Sequence, residues 1–433
     1  MSSRRNSGDK AVAGGAPGLQ RLASGRVAGG VVVAVLFMGS SLLTPLYQLY
    51  RSQYGMGALG LTLIYAVYVV GNLAALLFLG RLSDQLGRRP IVLAGLALAA
   101  LSTVLFLLAS GSGLLFAGRV ASGCAVGLGS GAATAWITEA TPAERRPLAA
   151  STMTAFNFAG LALGPVIAGL LVQYARWPLR LPFVVYLGLL AAAVAWVLIA
   201  CETLDRERAE DFNLMPRLAV PSGKRLAFAG PAAGGFAAMA VVGYYAALGP
   251  TMLRETIGVT NQALGGLVVA ELFTVAAAAI LVTRRIEPDR LLRWGLAAAP
   301  LGLGALAVAQ ARSSLAMMLV GTTLSGIASA FSYRGGLGAI NALAPADRRA
   351  EVVSAYFICC FMGNALPIIG VGALSERLGA VPADRVFAFG ISLVALAALG
   401  CALLFRSSPK AGDAKAAPAR RGDRDQNLKV VPR

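Results

Sequence analysis

Residues Leu61 to Leu79 carry no charged side chain, and neither do Pro90 to Ser110. About 18–20 consecutive apolar residues are enough for a helix to cross the hydrocarbon core of a bilayer, and such runs are the strongest single constraint a sequence can place on a fold. Between the two runs lies the charged turn Gly80-Arg81-Leu82-Ser83-Asp84-Gln85-Leu86-Gly87-Arg88-Arg89. Two spans joined by so short a turn return to the same membrane face. Gly80 and Gly87 supply close approach and access to positive φ, and Arg88 and Arg89 hold that face in water.

The pattern repeats along the chain. Only 13% of the 433 residues are charged, against about 25% in soluble domains, and mean hydropathy is +0.70. The apolar stretches are continuous rather than alternating, which excludes a β-barrel. The sequence predicts an all-α membrane protein with twelve transmembrane helices in two pseudo-symmetric six-helix bundles. The first bundle is expected over 26–201 and the second over 226–406. Irregular tails are expected at 1–25 and 407–433, and a charged linker at 202–225. Pro45 and Pro250 are expected to break the first and seventh spans.

Several function classes fall away on composition. The chain has no histidine, which removes the commonest general base and metal ligand. No nucleophile–base pair or metal cluster stands out, so an enzyme is not expected, nor a metal or cofactor beyond a proton gradient as energy source. The five cysteines (Cys124, Cys201, Cys359, Cys360, Cys401) fall in or beside apolar runs and read as small buried hydrophobes. The net charge of +18 is not a nucleic-acid signal, because the basic residues occupy every second loop and both tails. With both tails on one side, 29 Lys and Arg fall there and seven on the other. That bias predicts cytoplasmic termini, a multi-pass protein of the inner (plasma) membrane, and a basic face toward anionic lipids. A monomer is expected.

An internal duplication is visible. A shift of 203 positions places Gly118 on Gly321, Gly123 on Gly326, Ser151 on Ser354, Gly160 on Gly363 and Gly169 on Gly372. It also places Pro142-Ala143-Glu144-Arg145-Arg146 on Pro345-Ala346-Asp347-Arg348-Arg349. Parallel repeats with a site between them are a transporter architecture.

The turn Gly80-x-x-x-Asp84-x-x-Gly87-Arg88-Arg89 resembles the signature loop of the major facilitator superfamily. The resemblance implies alternating access and a charge lock at the cytoplasmic face that stabilises the outward-open state. Glu139 ends the fourth span on the same face as Asp84, Arg88 and Arg89, where a contact with Arg88 would close that gate. Arg119, followed by Gly123 and Gly127 at four-residue spacing, is similar to the family's fourth-span motif, whose arginine is linked to proton transfer. The alternative is an arginine snorkelling to the outer interface. Gly160, Gly164, Pro165 and Gly169 resemble the fifth-span antiporter motif associated with exporters, although Ala168 stands where that motif pairs glycines.

Glu271 is the carboxylate placed near the middle of a span. Acids inside a membrane are functional by default, and burial favours the neutral form, so Glu271 is the candidate proton carrier with Arg119 as its companion. Arg334 lies about 15 Å deeper by helical rise, too far for a ready pair with Glu271. Polar and aromatic candidates for a substrate cavity are Tyr47, Tyr68, Asn72, Asn157, Tyr244, Tyr245 and Arg334. The expected activity is proton-coupled efflux of a small organic molecule. The alternative is a proton symporter or uniporter importing a metabolite.

Overall fold

The computed structural model describes residues 15–80, 82–142, 146–200 and 225–404. Every regular element among them is helical. The first span is α1 (Gly15–Leu42), a 3-10 turn (Thr44–Leu46) and α2 (Tyr47–Tyr54). Then come α3 (Ala58–Ala74), a π-helical turn (Ala75–Leu79), α4 (Leu82–Leu86), α5 (Arg88–Leu107), α6 (Ser112–Glu139), α7 (Arg146–Tyr174) and α8 (Leu181–Ile199). The second half holds α9 (Arg225–Glu255), α10 (Gln262–Val282), α11 (Pro288–Arg312), α12 (Leu315–Leu343), α13 (Arg349–Leu378) and α14 (Ala380–Leu404). Among the described residues, twelve helical segments are long and apolar enough to cross a membrane. An even number of crossings puts the start of α1 and the end of α14 on one side, called here the tail face; the opposite side is the far face.

Two expectations are corrected. The segment 15–25 is helical rather than irregular, because its Ala, Leu, Gln and Arg residues favour helix and run unbroken into the first apolar span. Pro250 does not break the seventh span; α9 continues through it to Glu255. Pro45, by contrast, ends α1 as expected, since Thr44–Leu46 tightens into a 3-10 turn before α2. Residues 1–14, the linker 201–224 with Cys201, and 405–433 lie outside the described residues, as do Arg81, Glu144 and Arg145.

α1, α3, α5, α6, α7 and α8 pack among themselves, and so do α9 through α14. The two sets meet where α7 lies on α10 and where α13 lies on α3. These seams are equivalent under the 203-residue shift. A Cβ at Gly169 of α7 would stand 2.7 Å from the Gln262 carbonyl oxygen at the start of α10; one at Gly372 of α13 would stand 3.0 Å from that of Ala58 at the start of α3. The repeat written in the sequence is therefore a repeat of helix seams, held by residues small enough for backbones to touch.

Candidate transport site

At the tail face the charged turn builds an ionic cluster. Gly87 has φ +98°, a conformation costly for any residue with a Cβ, and it reverses the chain so that α5 starts at Arg88. Gly80 is ordinary right-handed helix (φ −58°), so the positive φ expected of both glycines falls on Gly87 alone. Arg88 is only 6% exposed. Its Nη1 donates to Asp84 Oδ1 at 2.5 Å and to Ser83 Oγ at 2.7 Å, and its Nη2 donates to Glu139 Oε1 at 2.6 Å. Arg89 donates to the Leu198 carbonyl at the end of α8 at 2.5 Å. These contacts tie α4, α5, α6 and α8 together inside one bundle. The expected Arg88–Glu139 contact thus forms, and it joins α5 to α6 within the first bundle. Arg88→Ala leaves two carboxylates without their common cation. Both are partly solvated, which moderates the loss, so we expect about 1–3 kcal/mol of destabilisation, seen as a lower Tm in detergent.

Arg119 does not snorkel. It is fully buried, donating from Nη1 to the Ser40 carbonyl at 2.8 Å and from Nη2 to the Tyr47 hydroxyl. Three tyrosine rings surround the guanidinium: Tyr68 at 5.3 Å, Tyr47 at 5.4 Å and Tyr65 at 5.8 Å. That spacing is within cation–π range. Its Nε is buried without a hydrogen-bond partner, and no carboxylate pairs with it among the described residues. Asn72 is buried on the same face of α3, and Gly123 and Gly127 of α6 leave room for its backbone. Tyr65 carries the cage across the bundle interface, its hydroxyl donating to Asn364 Oδ1 of α13 at 3.0 Å.

The fifth-span glycines face two partners. Gly160 sits against the Ala34 carbonyl and Gly164 against that of Met38, both on α1. The Pro165 carbonyl meets Gly266 of α10, and Gly169 meets Gln262. Asn157, half-buried, lies one turn before Gly160. The motif therefore seats α7 on its own bundle and on the other bundle at once. A side chain at position 266 would strike the Pro165 backbone. We expect Gly266→Leu to hold the far half of the α7–α10 seam apart, raising thiol labelling of a cysteine placed at Gln173 or Gln262 at least several-fold.

In the second bundle Glu271 lies midway along α10. Its Oε1 accepts from Thr323 Oγ1 of α12 at 2.7 Å; its Oε2 is buried with no hydrogen-bond partner among the described residues. Tyr245 is fully buried nearby, edge-on to Tyr244. Tyr244 in turn stacks on Phe387 at 4.6 Å. Arg334 goes elsewhere. It donates to the Ile280 and Arg284 carbonyls and to Thr283 Oγ1, capping the C-terminus of α10, where a cation is favoured. The structure does not bring it to Glu271 or to the tyrosines. Under the repeat, Tyr68 corresponds to Glu271 and Arg119 to Thr322. The cage and the carboxylate are thus equivalent places in the two bundles.

The sequence reading missed Asp384, an acid only 7% exposed in the second turn of α14. It accepts from Gln310 Nε2 at 2.6 Å and lies beside Tyr244. An acid at the edge of an apolar run looks like a loop residue; only its partner on α11 reveals that it is inside.

The far face is closed. Arg51 at the end of the first span pairs with Glu255 of α9 at 2.5 Å. Glu376 of α13 accepts from the Leu59 amide at 3.1 Å, and Gln173 of α7 from the Gln262 amide at 2.9 Å. The ion pair is about one-third exposed on each side, so it is worth only ~0.2–1 kcal/mol. A latch of that size can open during a transport cycle.

Two six-helix bundles related by an internal repeat, one holding a buried arginine and the other a half-buried acid at the equivalent place, define a secondary membrane transporter. The chain belongs to the Major Facilitator Superfamily, whose sequence profile matches residues 30–366; members are transporters, not enzymes. It is 28% identical over 169 residues to the quinolone resistance protein NorA of Staphylococcus aureus (strain MRSA252), a match spanning 39% of this chain and 43% of that relative. It is 25% identical over 338 residues to the multidrug resistance protein MdtL of Citrobacter koseri, covering 74% of this chain and 82% of MdtL. Among solved structures, a bacterial homologue of the human lysosomal transporter Spinster, inward-facing and unoccupied, superposes with a TM-score of 0.65 at 14% identity, over 89% of this chain and 95% of that one. The nucleoside transporter NupG superposes with a TM-score of 0.70 at 12% identity, over 87% and 99%. At these identities the structural likeness speaks for the fold alone.

Proposed function

We propose that this protein is a proton-coupled exporter of a small organic molecule, working as a monomer by alternating access in the inner membrane with both termini cytoplasmic. The observation that carries the reading is the position of Glu271. It sits on α10 five residues beyond Gly266, about 7.5 Å along the helix, so the acid and the interbundle seam share one rigid element. A proton on Glu271 removes a charge from a site that offers it one hydrogen bond, and so supports the far-closed arrangement. Loss of the proton to the tail side favours hydration of the carboxylate and separation of the seam beside it, and substrate leaves to the far side. The proton gradient is the energy source.

Export rather than import is supported by the Gly164-Pro165 step, by its seat on both bundles, and by the two resistance proteins among the relatives. The buried tyrosines and the half-buried Asn157 suit an amphipathic or ring-bearing substrate. The test is direction. In everted membrane vesicles energised by respiration, the full-length protein should accumulate a fluorescent amphipathic dye, and collapsing the pH gradient should release it. Accumulation of a nutrient by right-side-out vesicles, with no dye transport in everted ones, would establish the importer instead.

A further inference from the structure

A groove of about 460 Å³ runs between α13 and α14 in the far half of the second bundle. Its walls are apolar, and they are low because Gly370 and Gly390 project nothing into it; a Cβ on either would meet open space. The volume falls within the ~300–1,000 Å³ of small-molecule sites. Its floor includes Phe387, the ring that stacks on Tyr244 inside the bundle. Arg377, exposed in the last turn of α13, is its one charged lining residue. It makes no ion pair or hydrogen bond among the described residues. Arg385, at the same end of α14, is exposed as well.

We infer that this groove binds one acyl chain of an anionic phospholipid, with its headgroup phosphate on Arg377. An apolar slot at hydrocarbon depth with a free cation at the interfacial end has the polarity profile of a single phospholipid. A guanidinium suits the oxygens of a phosphate. The zwitterionic alternative satisfies the slot but brings its own cation to the Arg377 end. The site also bears on the transport cycle. Glu376, the neighbour of Arg377, accepts from the Leu59 amide of the other bundle, so a lipid that holds the last turn of α13 in place holds that far-face contact too. The bound lipid favours the far-closed state.

The test uses the full-length protein, purified and delipidated, titrated with phosphatidylglycerol or phosphatidylcholine and read by native mass spectrometry. One phosphatidylglycerol should be retained at least fivefold more strongly than phosphatidylcholine. Arg377→Gln should erase that preference, and Gly390→Leu, which fills the slot, should weaken retention of both lipids. Spin labels flanking the far-face seam should shorten in mean distance on adding phosphatidylglycerol to the wild type but not to Gly390→Leu. Unchanged retention in Gly390→Leu, checked as folded by its Tm without lipid, would overturn the site. An undiminished preference in Arg377→Gln would overturn the headgroup assignment, and with it the proposal.

Discussion

Glu271→Gln is expected to abolish transport driven by a pH gradient while leaving substrate exchange intact. Glutamine keeps the acceptor that Thr323 uses at 2.7 Å, so packing of α10 on α12 is retained and stability should shift by under about 0.5 kcal/mol. What disappears is the ability to gain or lose a proton in the middle of α10. In proteoliposomes, uptake energised by an imposed pH difference should fall at least ~10-fold, equivalent to about 1.4 kcal/mol of lost coupling. Counterflow with substrate on both sides should stay within about twofold. A variant that still concentrates substrate against a pH gradient would remove Glu271 from the proton path and leave Asp384 as the next acid to examine.

Arg119→Met is expected to do the opposite of what a structural arginine would do: transport should be lost without loss of the fold. A buried guanidinium with no carboxylate partner among the described residues is a standing electrostatic cost. Three tyrosine faces, one carbonyl and one hydroxyl offset part of it. Methionine fills a similar linear volume with no charge to solvate. We therefore expect a Tm equal to or above that of the wild type, from a stability gain of no more than roughly 1–2 kcal/mol, in contrast to the drop expected for Arg88→Ala. Arg119→Lys should not restore activity, because one ammonium does not reproduce a planar fork reaching Ser40 and Tyr47 together. If Arg119→Met unfolds and Arg119→Lys is fully active, the residue is a packing element and the cage has no part in the cycle.

The contrast between the two arginines shows what a linear reading reaches. Arg88 lies in a turn whose glycines, acid and cations are all within ten residues, so its local partner Asp84 was legible, and Glu139 could be assigned to the same face by counting crossings. Arg119 was legible only as an anomaly, a charge in an apolar run. Its cage comes from α1, α2 and α3, and no spacing within α6 could announce it. Arg334 shows the reverse error: a charge inside a span reads as a cavity residue, yet its donors are consumed by the carbonyl ends of α10. Asp384 shows the third kind, a buried acid disguised by its position at the edge of an apolar run.

The sequence by itself determined the solvent of this protein, the number of crossings, the internal repeat and the small-residue seams. Each of these is a one-dimensional property: hydrophobic length is set by bilayer thickness, and a glycine row is set by how near two backbones come. Tertiary structure alone decided that the far side is shut, that Arg88 reaches Glu139 on α6, and that among the described residues Glu271 has one oxygen bonded and one bare. Those outcomes depend on groups far apart in the chain: Arg88 and Glu139 are 51 residues apart, Glu271 and Thr323 are 52, and Arg51 and Glu255 are 204. Hydrogen bonds and ion pairs act over a few ångströms, so only the packed chain can say which groups come that close.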